Sequence, residues 1–369
     1  MFGKKDPPNV DAIKAELGAI IEPILQAPLS ALGFLGDIKA DGTRVRVAID
    51  LPTPAWEGKE ALEKALSQGL AKVAPGAELD VAWGATVKPS RHDPGGSQNF
   101  VPGAKNVILF ASGKGGVGKS TVATNVAAAL SQLGANVGLL DADIYGPSIP
   151  TMFGTRKMPE VAAGGSKLTP IHQAGLKLMS IGFVVDPKEA MSWRGPMLNG
   201  ALIQFMRDVD WGELDYLTLD LPPGTGDVQL TIAQNLKVSG AVLVSTPQDV
   251  ALADVIRGKS MFDRVGIPTL GVVENMSAFT CSHCGTVHHI FSHGGASRLA
   301  KELDLPVLAE IPLELGVREA GDAGRPEVLV NPESPASKAF FGLARKIATE
   351  LAKQAFSAKR KSGGLKIVQ

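Results

Sequence analysis

Residues 106–133 read NVILFASGKGGVGKSTVATNVAAALSQL. A short apolar run, Asn106 to Ala111, leads into a glycine-rich turn and then a helical stretch, Lys119 to Leu133, closed by Gly134. The turn, Gly113-Lys114-Gly115-Gly116-Val117-Gly118-Lys119-Ser120, fits G-x-x-x-x-G-K-[ST] and lies between strand and helix, as the motif's mechanism requires. Its glycines let backbone N–H groups close around phosphate oxygens, and the helix N-terminus favours negative charge. Lys119 is expected to reach the β- and γ-phosphates of a nucleotide, Ser120 to hold Mg²⁺ and Thr121 to bond the α-phosphate.

Further apolar runs follow at intervals: ANVGLLD (135–141), DYLTLDL (215–221), AVLVSTP (241–247), TLGVVEN (269–275) and LPVLAEIP (305–312). Strands separated by helical stretches imply βαβ units. The predicted fold class is α/β: a doubly wound, mostly parallel sheet in a P-loop NTPase domain, preceded by a small α/β domain. Aromatic residues are only 5%, so Val, Ile, Leu, Ala and Met must fill a core covered by helices on both faces. Residues 158–185 break the alternation and read as extra strands or an ordered excursion.

Residues 88–105, KPSRHDPGGSQNFVPGAK, have little periodicity and read as a linker. They separate a small domain, 1–87, from the P-loop domain, 106–356, and residues 357–369 read as a basic, flexible tail. In the small domain Val10 to Ile24 has helical spacing, GDIKADGTRVRVAIDLP alternates around Asp41-Gly42 as a hairpin, Glu57 to Val73 is an amphipathic helix and Glu78 to Val87 a last strand. No chemical constellation is evident there, and a docking or structural role is expected.

Lys+Arg is 37 and Asp+Glu is 37, a zero balance that argues against a general nucleic-acid-coating protein. The opening Met-Phe-Gly-Lys-Lys-Asp-Pro-Pro leads into no apolar core of a secretory signal, and no stretch approaches the roughly 18 apolar residues of a membrane span. A cytoplasmic protein is expected, with no membrane and no nucleic-acid partner. The 2 cysteines exclude a disulfide scaffold.

Acidic groups stand where ligands of such sheets sit, at the carboxyl ends of strands. Asp141-Ala142-Asp143 ends the second strand, and Asp220 ends the apolar run Tyr216 to Leu219 in the Walker B pattern, predicting an Mg²⁺ contact through water. In the loop Pro222-Pro223-Gly224-Thr225-Gly226-Asp227, the Gly224 N–H is a candidate sensor of the γ-phosphate. Asn275, at the end of the fifth strand, is a candidate for reading the base.

Both cysteines lie in Cys281-Ser282-His283-Cys284. The spacing puts two thiolates on one metal atom or cluster, whereas an iron–sulfur cubane or a structural zinc normally takes four protein ligands. A cubane here would sit between two chains, most simply on a twofold axis. His283, His288, His289 and His293 lie close by, so a Cys₂His₂ zinc site in one chain is the competing reading, and a redox pair or inert thiols a third.

Lys114, a second lysine near the start of the loop, resembles the signature lysine of the deviant Walker A ATPases, which crosses a dimer interface to the partner's nucleotide in the manner of an arginine finger. The same resemblance implies that Asp143 orients the attacking water and that Asp141 supports the Mg²⁺ shell. GKGGVGKSTVATNVAAAL, DADIYGPSIP, WRGPM (193–197), WGELDYLTLDLPPGTGD, and ENMS followed by CxxC and IF-x-x-GG together resemble the Mrp/ApbC-type iron–sulfur cluster carriers over about 105–355. The first segment resembles the MIP18-like domain found at their N-terminus. The resemblance implies a homodimeric ATPase, ATP rather than GTP as the nucleotide, a labile 4Fe-4S cluster on the CxxC of each subunit, and partners that are cluster scaffold proteins and apo iron–sulfur clients. One departure is plain: MIP18-like domains frequently carry a cysteine shortly after a Thr-Pro pair, and here Thr53-Pro54 is followed by Ala55-Trp56.

The function expected is thus ATP-dependent carriage of an iron–sulfur cluster, with slow hydrolysis. A positioning or partition ATPase of the same class and a zinc or nickel metallochaperone NTPase are the alternatives. The absence of a tyrosine cluster, with only Tyr145 and Tyr216 present, sets a tyrosine kinase aside.

Overall fold

The structure, a computed structural model, describes residues 9–90, 99–161, 165–185, 195–224, 226–281, 283–291 and 294–362. Two compact units divide at Lys88/Pro89, and each is described by itself.

In the first unit, α1 (Val10–Ala19) and α3 (Lys59–Val73) accompany a three-stranded sheet of β3 (Leu35–Asp41), β4 (Arg44–Leu51) and β5 (Glu78–Ala85). β3 and β4 form the expected antiparallel hairpin, with Asp41 opposite Arg44, and β5 runs parallel to β4. Val45, Val47, Ile49 and Leu51 alternate inward, while Leu62, Leu66 and Leu70 bury one face of α3. The first helix is shorter than its periodicity suggests. It stops at Ala19, and β1 (Ile21–Glu22) pairs antiparallel with β2 (Ala27–Pro28), ahead of the short α2 (Leu29–Leu32). Pro23 is the reason, because it disfavours helix for itself and for the residue before it. The buried Glu22 carboxylate closes the turn, accepting from the N–H groups of Ile24 (2.8 Å) and Leu25 (2.5 Å) and from Trp56 Nε1 (3.0 Å).

The second unit is built on a sheet of nine strands among the described residues, in the order β13-β12-β11-β6-β10-β7-β9-β8, with β14 also on β12. The strands are β6 (Ala104–Ala111), β7 (Val137–Asp141), β8 (Ile171–Gln173), β9 (Leu176–Ser180), β10 (Leu214–Asp220), β11 (Gly240–Ser245), β12 (Thr269–Thr280), β13 (Val287–His288) and β14 (Val307–Leu313). Pairing is parallel except for β8 with β9 and β13 with β12. The segment that broke the alternation supplies β8 and β9. β6, β10 and β11 are buried on both faces, which explains why they read as unbroken apolar runs.

Helices α4 (Lys119–Gln132), α5 (Ile149–Met152), α6 (Gly195–Arg207), α7 (Asp227–Asn235), α8 (Asp249–Arg264), α9 (Gly295–Glu302), α10 (Leu315–Asp322), α11 (Glu327–Val330) and α12 (Pro335–Ser362) complete the unit. Val107, Leu109, Leu217, Leu219 and Leu243 from the sheet pack in one core with Met206, Ile232 and Phe262. Two expectations shift. Apart from Lys88, the described residues of the expected linker belong to this unit: Ser90 N and Oγ donate to Asn106 Oδ1, Phe100 N donates to the Asn235 carbonyl, and the apolar Val101 is buried. The expected tail begins inside α12, which runs to Ser362, since Ala, Lys and Arg are good helix formers and glycines come only at 363–364.

Candidate nucleotide site and cysteine hairpin

β6, β10 and β7 lie side by side, so their carboxyl ends bring the phosphate loop, Asp220 and Asp141 together. Gly113 opens the loop after Ser112. Gly116 (φ +81°) and Gly118 (φ +77°) take the left-handed backbone that closes it, and Gly115 leaves open space where a Cβ would stand. A Cβ on Gly118 would lie 2.2 Å from Asn275 Nδ2, so a side chain there would displace Asn275 as well as strain the left-handed backbone. The loop lines a cavity of about 270 Å³, faced by Lys114, Lys119, Ser120, Thr121 and Asp143.

Lys119 is 6% exposed, and its Nζ lies 2.5 Å from Asp220 Oδ1 and 3.3 Å from Ser120 Oγ. Asp220 is fully buried, and among the described residues its Oδ2 has no hydrogen-bond partner. Burial pushes this carboxyl up, with Lys119 pulling the other way. Asp141, opposite Asp220 in register, is pushed up to about 7, first by burial and then by the charge of Asp220.

The structure gives three predicted residues bonds of their own. Asp141 is the anchor of the loop that follows it: Oδ1 accepts from Asp143 N, and Oδ2 from Ser148 N, Ile149 N and Ser180 Oγ. Asp143 faces the cavity and accepts from Gly146 N at 3.3 Å. The Gly224 N–H donates to the Ser112 carbonyl at 2.9 Å, so sensing a phosphate requires that bond to open. Thr225, Trp193 and Arg194 lie outside the described residues, as does the side chain of Asp227.

Asn275 sits on β12 and donates through Nδ2 to the Val117 carbonyl at 2.9 Å, tying the strand to the loop. A second cavity of about 500 Å³ adjoins the first through Thr121, Ser148 and Met152 and is lined by Asn275, Met276, Pro312, Glu314 and Arg318. Beyond Asn275 the same strand reaches the cysteines. β12 and β13 form a hairpin, Phe279 opposite His288, with the Cys281–Cys284 turn at its tip. Cys281 N donates to the Thr286 carbonyl and Gly285 N to the Cys281 carbonyl, both at 2.9 Å. Cys284 is exposed and Cys281 half-buried. Cys284 Sγ lies 3.2 Å from Thr286 Oγ1; hydrogen bonding from Thr286, and then from Cys281, holds the Cys284 thiol below its ordinary range.

Among the described residues no three His, Cys, Asp or Glu side chains gather as a metal site; Ser282 and His293 lie outside them. His283 and His288 are exposed, and His289 Nδ1 is 3.4 Å from the Ser277 carbonyl. No helix among the described residues is long and apolar enough to cross a membrane.

Residues 103–348 match the family model of the NUBPL iron-transfer P-loop NTPases. The chain belongs to this family. The iron-transfer P-loop NTPase also matches, over residues 10–81, the family model described as iron-sulfur cluster assembly protein. It is 46% identical over 329 residues to a protein of Haemophilus influenzae named iron-sulfur cluster carrier protein, covering 89% of this chain and 88% of that one. It is 42% identical over 347 residues to a Deinococcus radiodurans protein of the same name, covering 94% and 97%. An Arabidopsis thaliana protein, named iron-sulfur protein required for NADH dehydrogenase, mitochondrial, is 49% identical over 273 residues, 73% of this chain and 87% of that one. Among solved structures, a nucleotide-binding protein of Archaeoglobus fulgidus in complex with ADP superposes with a TM-score of 0.57 at 39% identity, over 65% of this chain and 93% of that one. The cell division ATPase MinD of Pyrococcus furiosus shares the fold, with a TM-score of 0.51 at 24% identity over 66% and 98%.

Three residues of this NTPase's site gave no sequence signal. Gln248 Oε1 accepts from Lys114 Nζ, Gln229 Nε2 donates to the carbonyls of Pro222 and Gly224, and Thr286 sets the environment of Cys284.

Proposed function

We propose that this chain is an ATP-hydrolysing carrier that binds a 4Fe-4S cluster between two copies of itself and delivers it to apo-proteins. The observation that carries the reading is one strand serving two sites. β12 is bonded to the phosphate loop through Asn275 and ends at Thr280, next to Cys281. Between the two residues the strand is bulged: Met276 takes a left-handed backbone (φ +58°) and the pairing with β14 shifts register between Asn275 and Phe279.

The nucleotide phosphates sit in the cradle of loop N–H groups, with Lys119 moving from Asp220 on to the β- and γ-phosphates and the base entering the cavity beside Asn275. The buried Asp220 Oδ2, which has no hydrogen-bond partner among the described residues, and the Ser120 hydroxyl form a hard oxygen donor set that fits Mg²⁺. When bound, that ion supplies charge neutralisation on the β- and γ-phosphates. Asp143 holds the attacking water, the Asp141-anchored loop holds Asp143, and Lys114 completes the site of the partner copy. Each chain supplies two thiolates, so two chains supply the four ligands a cubane takes. The exposure of Cys284 suits a cargo that has to leave.

Nucleotide-driven movement of the phosphate loop reaches the hairpin through β12, which is the two-state element such coupling needs. Slow turnover by the isolated chain follows, because the complete site needs a second copy. The reading is tested by anaerobic reconstitution with iron and sulfide. Cys281→Ala and Cys284→Ala should each lose the cluster's absorbance while still binding ATP, and a full cluster on either variant overturns it.

A further inference from the structure

The loops after β6 and β11 leave the same edge of the sheet from neighbouring strands, Ala111 being paired with Leu243. One carries Lys114 and the other Gln248, and Lys114 Nζ donates to Gln248 Oε1 at 3.0 Å. Both residues are half-buried. Gln248 occupies the N-cap position of α8 with extended backbone angles, yet makes no side-chain cap to its own helix. The short side chains of Ser, Thr, Asp and Asn turn an oxygen on to the first helical N–H groups at this position, and glutamine is not one of these capping types. Here the oxygen faces the ammonium of the phosphate loop instead. Ser112 Oγ also donates to the Lys114 carbonyl at 3.0 Å, which fixes the backbone from which that side chain starts.

We propose that Gln248 is a positioning residue that tethers Lys114 within its own protomer, so that Lys114 exchanges this bond for the partner's nucleotide when two copies associate. The proposal rests on the reading above that Lys114 acts across the dimer. An ammonium on a neutral amide oxygen is a bond that phosphate oxygens displace, because they carry full negative charge and the amide carries none. While it lasts it favours the separate protomer. A contact made only in the free state subtracts its own free energy from association. Gln248 thereby sets the threshold of nucleotide and protein concentration at which two copies close, without touching substrate.

The test is association of the full chain with Mg²⁺ and a non-hydrolysable ATP analogue, measured by sedimentation equilibrium. Gln248→Ala should tighten the dimer about 25-fold, because association breaks two tethers, one in each copy, and each is worth about fivefold. Gln248→Glu, which turns the tether into an ion pair, should weaken it. In a Lys114→Ala background both changes should leave the dissociation constant where Lys114→Ala alone puts it. Opposite signs for Ala and Glu, both dependent on Lys114, are not produced by a merely structural glutamine. Weaker or unchanged association of Gln248→Ala overturns the proposal, as do equal shifts in the Lys114→Ala background. The two failures are separable. If Lys114→Ala turns over ATP like the parent, the action of Lys114 in trans fails and the tether with it. If Lys114→Ala is slow but Gln248→Ala associates like the parent, only the tether fails.

Discussion

Lys119 Nζ lies 2.5 Å from Asp220 Oδ1, and both side chains are withdrawn from solvent. On the proposed function, the lysine that meets phosphate is already held by a carboxylate of the Mg²⁺ donor set. Nucleotide binding exchanges one partner for another rather than recruiting a free charge. Lys119→Ala removes the phosphate contact and leaves a buried carboxyl without its cation, and isothermal titration should show ATP affinity down by about 100-fold, the scale of a lost buried charge contact. Asp220→Asn releases Lys119; nucleotide should bind at least as tightly as to the parent, while Mg²⁺-dependent hydrolysis falls by about 100-fold or more.

Asp141 gives the apo-protein a pH signature. Its folded-state pKa, about 7, lies above the ordinary 3.8. Between those values the folded state holds a proton that the unfolded state has released, so stability falls as pH rises through the window and is level below it. Asp220 is shifted in the same direction. Urea midpoints taken from pH 4 to pH 7 should decline, and Asp141→Asn should flatten part of the decline. A midpoint that rises across this range in the parent contradicts the burial argument.

Cys284 is exposed, and Thr286 holds its thiol below the ordinary range. The thiolate is the nucleophile, so Cys284 should react with iodoacetamide near pH 7.5 faster than Cys281, as read by peptide mass spectrometry. Thr286→Val should slow Cys284 and leave Cys281 nearly unchanged. Equal rates for the two cysteines in the parent contradict this account of the hairpin.

In the small unit the Glu22 carboxylate is buried against three N–H donors, those of Ile24, Leu25 and Trp56 Nε1. Glu22→Ala orphans all three, and the unit should lose about 2–4 kcal/mol in chemical denaturation. The position of Thr53-Pro54-Ala55-Trp56 is built around this carboxylate and a buried indole, which gives the segment a structural role without a thiol.

The sheet was legible because its central strands are buried on both faces and spell continuous apolar runs, and because the phosphate loop joins strand to helix. Asp220 was legible as a strand-end polar residue, a local pattern, whereas Asn275, expected at a strand end, lies inside β12, which runs on to Thr280. Pro23, in contrast, ended a helix whose apolar spacing continued past it, a case where backbone geometry overrides periodicity. The bonds of Lys114 to Gln248, of Gly224 to Ser112 and of Asp141 to its loop join residues far apart in the chain or depend on loop conformation. Hydrophobic periodicity carries no trace of them, so a reading of the chain places the residues near a site without saying what each one holds.

The central claim is that one chain supplies half of the cluster's ligands. It is tested most directly by native mass spectrometry of the anaerobically reconstituted protein, together with iron and sulfide analysis. A dimer carrying one four-iron, four-sulfide cluster is expected, lost when Cys281 or Cys284 is replaced. A monomer that retains an intact four-iron cluster contradicts it.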